Sequence, residues 1–397
     1  MKRIWKWLLI LLAVIAVAQI PFVYRRVALG NVASAIAQDD AARTVITNDR
    51  YDEYKGIIHA HTSLGGHSTG SFDELIPAAN ANGLDFVLMT EHWASEYDTS
   101  ALTLNGKFGN TIFVGGNEID TANSDRFLMI PGSADAASLR LSPTNDVIAK
   151  LHAENRLALI TYPEKFNTWD SSFDGIEVFS LHTAASKMNK VTAFFDMIWS
   201  GSAYPQLMFA RYFVRPDANL KRFDDTAQRR PITLFTGTDA HSNIGFHIFG
   251  DDAGHKFINF KYDPYVTMFS ISRCHILVPK GQPLTRELII DTVKAGRVFA
   301  GLDILGDTTG FSFTAGDSTM GESVPYTGDL MLKAAAPLNA HFKLFKNGAP
   351  VADLTGTSRF EYKPDGPGEY RIEAYRDTLG EPFSLMPWIM SDPIYVR

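Results

Sequence analysis

From about residue 54 onward, short apolar runs alternate with segments whose apolar positions recur every three or four residues. The runs at 56–58, 84–89, 111–114, 126–130, 157–161, 175–179 and 231–235 read as buried strands. Segments 72–81, 143–155, 187–200 and 284–295 read as helices. Ser71 with Glu74 forms a capping box, and Ser142 with Pro143 marks another helix start. Strands alternating with helices predict a parallel α/β sheet, most simply a barrel. The stretch 188–215 is dense in Phe, Met, Trp and Tyr and is expected to be core or a packed lid.

Beyond residue 301 the helical period disappears. Alternating positions at 330–334, 341–346 and 370–375 predict strands, with Asn347-Gly348 as a two-residue hairpin turn. This tail is expected to be a small all-β sandwich. At the other end, Lys2, Arg3 and Lys6 precede an uncharged run that ends before Arg25-Arg26. The run suits either an uncleaved signal anchor or a signal peptide cut after Ala18. Both place the bulk of the chain outside the cytoplasm, membrane-anchored in the first case and secreted in the second. The expected organisation is therefore 1–26 signal or anchor, 27–53 polar tether, 54–300 barrel and 301–397 sandwich.

Composition narrows the partners. The 397 residues are 45% hydrophobic and 20% charged, enough apolar material for large cores. A net charge of −7 argues against a surface that coats long nucleic acids. Cys274 is the only cysteine, which excludes an internal disulfide and a thiolate metal cluster.

The chemistry gathers where the apolar runs end. His59 and His61 close the first run, and residues two apart on a strand share a face. His67 lies in the following loop, and Glu91-His92 ends the second run. Glu118 follows the third, Tyr162 follows 159–161, and Glu177 and His182 come next. Asp239 and His241 close the set. In a β/α barrel, strand ends form the catalytic face. Imidazole with carboxylate suits borderline divalent ions such as zinc, manganese or iron. His152 and His341 are expected to be solvated or packed, and His247, His255 and His275 stay open.

These residues resemble the PHP family, named for its polymerase and histidinol phosphatase domains. The resemblance rests on His59-Ala60-His61, Thr90-Glu91-His92, Glu118 and Asp239-Ala240-His241, and spans about residues 54–300. The tail around 387–394 is similar to a subgroup with carbaryl-hydrolase-like members. The resemblance implies a distorted seven-stranded barrel with two or three divalent metal ions. One ion would be held by His59, His61, Glu118 and Asp239. Glu118 would bridge to a second ion that also takes His182, and a third would use His67, His92 and His241. Asp239, Glu118 and His241 are then the expected catalytic residues. The family usually has His-Pro where this chain has Tyr162-Pro163. The second position is therefore weakened, absent, completed by a Tyr162 phenolate, or served by Glu164.

The expected activity is hydrolysis of a small phosphate ester by a metal-bound hydroxide. Arg126, Lys165 and Lys187 are the candidate phosphate holders. Rival readings are a carbamate, ester or amide hydrolase, an exonuclease on short oligonucleotides, and an inactive metal-binding module tethered to the membrane.

Overall fold

The computed structural model describes residues 2–243, 245–250 and 256–397. They form a mixed α/β architecture with a large mixed sheet and eleven α-helices. The first strands are β1 (Tyr51–Ala60), β2 (Phe86–Met89), β3 (Thr111–Val114), β4 (Arg126–Ile130), β5 (Leu157–Ile160), β6 (Gly175–Ser180) and β7 (Thr233–Ala240). β1 runs parallel to β2, and β2 parallel to β3. Past short breaks, β2 and β3 continue as Glu91–His92 and Asn117–Asp120, again parallel. Asn117–Asp120 is antiparallel to β4, and β4 is antiparallel to β5. β5, β6 and β7 are parallel, and β7 pairs back onto β1. The pairings thus return to the strand from which they began.

Two corrections follow for the expected all-parallel sheet. β4 runs against both neighbours, because only a short turn at residues 121–125 separates it from Asn117–Asp120, too few for a crossover helix. β8 (Arg273–Pro279) also lies antiparallel to β1.

Alternation sorts the strand side chains into two cores. Ile58, Phe86, Leu88, Val114, Leu128, Leu159 and Phe235 pack with Ile276 and Val278 of β8 on one face. Ile57, Val87, Phe113, Phe127, Ile160 and Leu234 face the other way, in one core with apolar residues of the flanking helices. Those helices include α2 (Phe72–Ala81), α3 (Thr144–Ala153) and α6 (Asp217–Ala227), numbered so that α4 (Leu181–Ser186) and α5 (Lys190–Ser200) fall between the last two. α2 carries the full reciprocal capping box of Ser71 and Glu74. α3 begins at Thr144 with Pro143 as its cap residue, so Ser142 does not cap it.

The C-terminal region is rich in β-structure. β9 (Val298–Gly301) leads to β10 (Leu332–Lys346), β11 (Ala349–Tyr362), β12 (Gly368–Tyr375) and β13 (Ile389–Ser391). Asn347 and Gly348 both take positive φ at the β10–β11 turn, as a two-residue hairpin demands. β13 pairs with β9 and with β12, so the tail is hydrogen-bonded into the same sheet as the strands before it.

The N-terminal segment is one helix, α1 (Lys2–Ala42). Its length and apolar composition fit a membrane anchor or a signal sequence. Residues 3–18 are exposed throughout. From Gln19 onward α1 docks on the protein, with Leu29 buried and Asp40 accepting a hydrogen bond from the Asp307 amide at 3.1 Å. The stretch expected as a polar tether is helical as far as Ala42, in keeping with the high helix propensity of its alanines. The stretch 188–215 divides as well. Leu207, Met208, Phe209 and Phe213 are core, whereas Val191, Phe194 and Ile198 face outward.

Candidate metal centre

β1 is irregular where the site begins. Its register slips between Ile58 and Ala60 against both neighbours, and His59 has φ 75°. This bulge, rather than plain alternation, sets the two imidazoles, whose ring centres lie 5.0 Å apart. Tyr162 and Asp239 also take positive φ, at 50° and 46°. Three residues of one cluster thus hold left-handed backbone, which strand and loop packing must enforce.

His59 Nε2 lies 3.3 Å from Asp239 Oδ1 and 3.7 Å from Glu118 Oε1. His61 Nε2 lies 3.2 Å from the same Asp239 oxygen and 3.5 Å from Glu118 Oε2. All four residues are buried. His59 Nε2, both nitrogens of His61, Glu118 Oε1 and Asp239 Oδ1 make no hydrogen bond to a described residue. Buried polar atoms are almost always paired, so the four orphans His59 Nε2, His61 Nε2, Glu118 Oε1 and Asp239 Oδ1, one from each residue, fit an ion that they would share. His59, His61, Glu118 and Asp239 are close enough to hold one. So are His61, His92 and His241, and so are His182, Asp239 and His241. The buried groups could thus hold several ions.

The grouping differs in part from the one the family resemblance implies. Glu118 reaches His92, whose Nδ1 is 3.3 Å from Oε2, while His182 sits with Asp239 and His241. Asp239, not Glu118, is the carboxylate next to His182. His67 is exposed at the rim with its ring 4.9 Å from that of His92, outside the close sets. Tyr162 donates a 2.6 Å hydrogen bond to Asp239 Oδ2. Burial and the Asp239, Glu118 and Glu177 carboxylates hold its phenol well above the ordinary range, against a phenolate. The hydroxyl occupies one Asp239 oxygen and leaves Oδ1 for the histidines. Glu164 is exposed and faces a separate cleft, so it does not replace the missing histidine.

Behind the cluster stands a support that the sequence pattern did not assign. Glu177 Oε1 lies 2.8 Å from His59 Nδ1, and Thr161 donates to Glu177 Oε2. A carboxylate on the far nitrogen fixes the tautomer and orientation of a ligating imidazole. Gly237 makes the room, since a Cβ there would fall 1.5 Å from Glu177 Oε1. His241 Nδ1 is likewise tied, 2.8 Å from the Asp239 carbonyl, leaving Nε2 free. Glu91 is buried but spends its oxygens on Thr62 and Thr103.

Burial lowers the pKa of a histidine, but the Asp239, Glu177 and Glu118 carboxylates outweigh it at His59 and hold it well above the usual value. At His61 and His92 burial wins, and both fall to about 3. Burial raises Asp239, yet His59 and His61 hold it well below the usual carboxylate range. Neutral imidazoles at His61 and His92 beside an ionised Asp239 are protonation states that suit a divalent cation, whereas His59 would have to release its proton to the surrounding carboxylates to ligate.

The cluster floors a cleft of about 450 Å³. Arg126 lines it, clamped by Asp120 at 2.7 and 3.2 Å and lying 3.7 Å from Glu118. Arg140 lines it too, 4.1 Å above the Trp93 ring. Sequence reading missed Arg140, which caps the end of a short helix at Ala136–Leu139, away from any strand end. Lys165 is exposed above the Tyr162 ring at 5.3 Å. Lys187 lies in the other cleft, with Glu164. The remaining histidines stand apart. His152 pairs with Asp174, His275 is buried between Glu53 and Asp303, and His341 pairs with Asp353. His255 and the side chain of His247 lie outside the described residues.

No protein-family model matches the chain, and no curated protein matches it in sequence. Among solved structures it is similar to PsfC from Pseudomonas syringae, at 12% identity and a TM-score of 0.38, over 61% of this chain and 90% of PsfC. It is also similar to Endonuclease Q, solved with a 27-mer duplex substrate carrying an abasic lesion at the active site. There the identity is 14% and the TM-score 0.34, over 61% of this chain and 57% of Endonuclease Q. Likenesses this distant carry no functional argument.

Proposed function

We propose that the chain is a metal-dependent phosphoesterase acting on a small phosphorylated ester. The observation that carries this reading is the convergence of orphaned buried atoms of His59, His61, Glu118 and Asp239 beneath a cleft lined by two arginines. Divalent ions would be held by those four residues, by His61, His92 and His241, and by His182, Asp239 and His241. When bound, they supply Lewis-acid charge opposite a phosphoryl group and acidify water. Arg126 and Arg140 offer guanidinium donors suited to phosphate oxygens. Asp120 holds Arg126 in place, and Trp93 underlies Arg140. Tyr162 keeps its proton and orients Asp239, a positioning role. The circuit of strand pairings supports a distorted seven-stranded barrel of the PHP kind for residues 54–300, and the β-hairpins of 301–397 support a sandwich. The anchor reading, with the site outside the cytoplasm, draws on the exposed apolar start of α1.

The test measures bound metal in the full-length protein and assays a phosphomonoester, a phosphodiester, a short oligonucleotide and an aryl carbamate in parallel, with Asp239→Ala as control. Phosphoester turnover that is lost in the control is expected. Carbamate turnover alone overturns the phosphoester reading, oligonucleotide trimming alone redirects it to an exonuclease, and metal without turnover leaves a binding module.

A further inference from the structure

The helix α5 is turned inside out. Its buried residues are Asp196 and Ser200. Its outward residues are Val191, Phe194 and Ile198, at 69, 51 and 59% exposure. These lie three and four residues apart and so form one stripe. A helix on the flank of a water-soluble protein shows the opposite polarity.

α1 packs beside this stripe. Phe22 meets Phe195 at 5.1 Å between ring centres. Gln19 accepts a 2.9 Å hydrogen bond from Trp199, and Arg25 pairs with Asp196 at 3.0 Å. Around the helix, Phe195 and Trp199 sit next to the stripe, so one apolar surface continues from the exposed residues of α1 onto α5. The contacts fall at residues 19–26 of α1, directly after the bare apolar stretch and at the basic pair Arg25-Arg26. That is the level at which a spanning helix leaves hydrocarbon for the headgroups. Lys187 and Lys190 flank the start of α5, and Trp199 closes it, the residue types of a helix lying in the interface.

We infer that α5 is an interfacial membrane helix, seated in the bilayer surface through Val191, Phe194 and Ile198 beside the emerging α1. The partner is the lipid bilayer itself. This inference rests on reading α1 as a membrane span. α5 joins α4, which carries His182, through residues 187–189 alone. Seating α5 therefore holds the candidate metal centre close to the membrane surface.

The experiment uses full-length protein in vesicles of phosphatidylcholine and phosphatidylglycerol, in a Cys274→Ala background. Nitroxide labels are placed singly on Phe194→Cys, Ile198→Cys, Leu12→Cys and, as a water-exposed control, Val45→Cys. Collision rates with oxygen and with a water-soluble nickel chelate report depth. The labels at 194 and 198 are expected to favour oxygen severalfold over the control. A bilayer signal at Leu12 with aqueous signals at 194 and 198 overturns the inference and leaves the anchor intact. Aqueous signals at all positions overturn both. Two labelled positions on α5 guard against one variant that misfolds.

Discussion

Two clusters of buried acid in the protein are resolved in opposite ways. At the metal centre, Asp239 keeps its charge because histidines surround it, and its free oxygen points at other free ligand atoms. Between α6 and β12, Arg371 binds Asp224 at 2.8 Å and also Glu373, which Arg215 holds at 2.6 and 3.0 Å. There the guanidinium groups supply the cations, and the network closes on itself. Nearby Glu369 has no such partner among the described residues, and burial with the adjacent Asp224 pushes it up to about 8, so it is neutral. A buried acid can be paired, neutralised or left for an ion. Of these clusters, the candidate metal centre takes the third course, and that separates a candidate site from a structural cluster.

The sharpest way to break this contrast is Asp239→Ala. It removes a ligand from two of the three groups, so phosphoester turnover is expected to vanish and bound metal to fall to no more than His61, His92 and His241 can hold, while the fold persists. Full metal content in that variant, read by elemental analysis, would end the comparison. Arg371→Met should do the reverse. Stranding Asp224, while Arg215 still holds Glu373, costs about 3–5 kcal/mol, seen in denaturant unfolding, with metal content unchanged. Glu177→Gln is expected to weaken metal affinity roughly 10–100-fold without removing a ligand, measured by competition with a chelator. A change confined to stability would make Glu177 a packing residue. Arg140→Ala should raise KM for a phosphoester by about fivefold, on the order of 1 kcal/mol, with kcat and metal content nearly unchanged.

A further test concerns pH. Glu369 binds its proton more tightly folded than unfolded, where its value is 4.5. Its contribution is complete below about pH 4.5 and is lost as pH rises toward 8. Glu369→Gln should therefore raise Tm relative to the parent at pH 8 and leave the difference near zero at pH 4.5. Equal Tm differences at both values would show that Glu369 is ionised throughout.

Much of this was legible in the sequence because the signals are local. The capping box at Ser71 and the Asn347-Gly348 turn depend on a few adjacent residues, and both formed as read. Strand ends carry ligands because alternation and apolar runs fix where a strand stops, and His59, His61, Glu118 and Asp239 do meet. The direction of β4 was not legible, since an apolar run has no polarity. Nor was the division of ligands, because distance between strand ends depends on the register and on the bulge at His59. Arg140 reaches the cleft from the end of a short helix whose own sequence says nothing of where it lands.

The chain by itself therefore determined the inventory: an apolar start, alternating elements, and imidazoles and carboxylates placed at their ends. Tertiary structure decided the partnerships. It turned Tyr162 from a possible ligand into the hydrogen-bond donor that orients Asp239, gave Glu177 to His59 across Gly237, and set the apolar stripe of α5 beside α1. The physical reason is common to all three. Local propensity acts over a few residues, whereas pKa, metal affinity and exposure are set by atoms that meet only when distant segments pack.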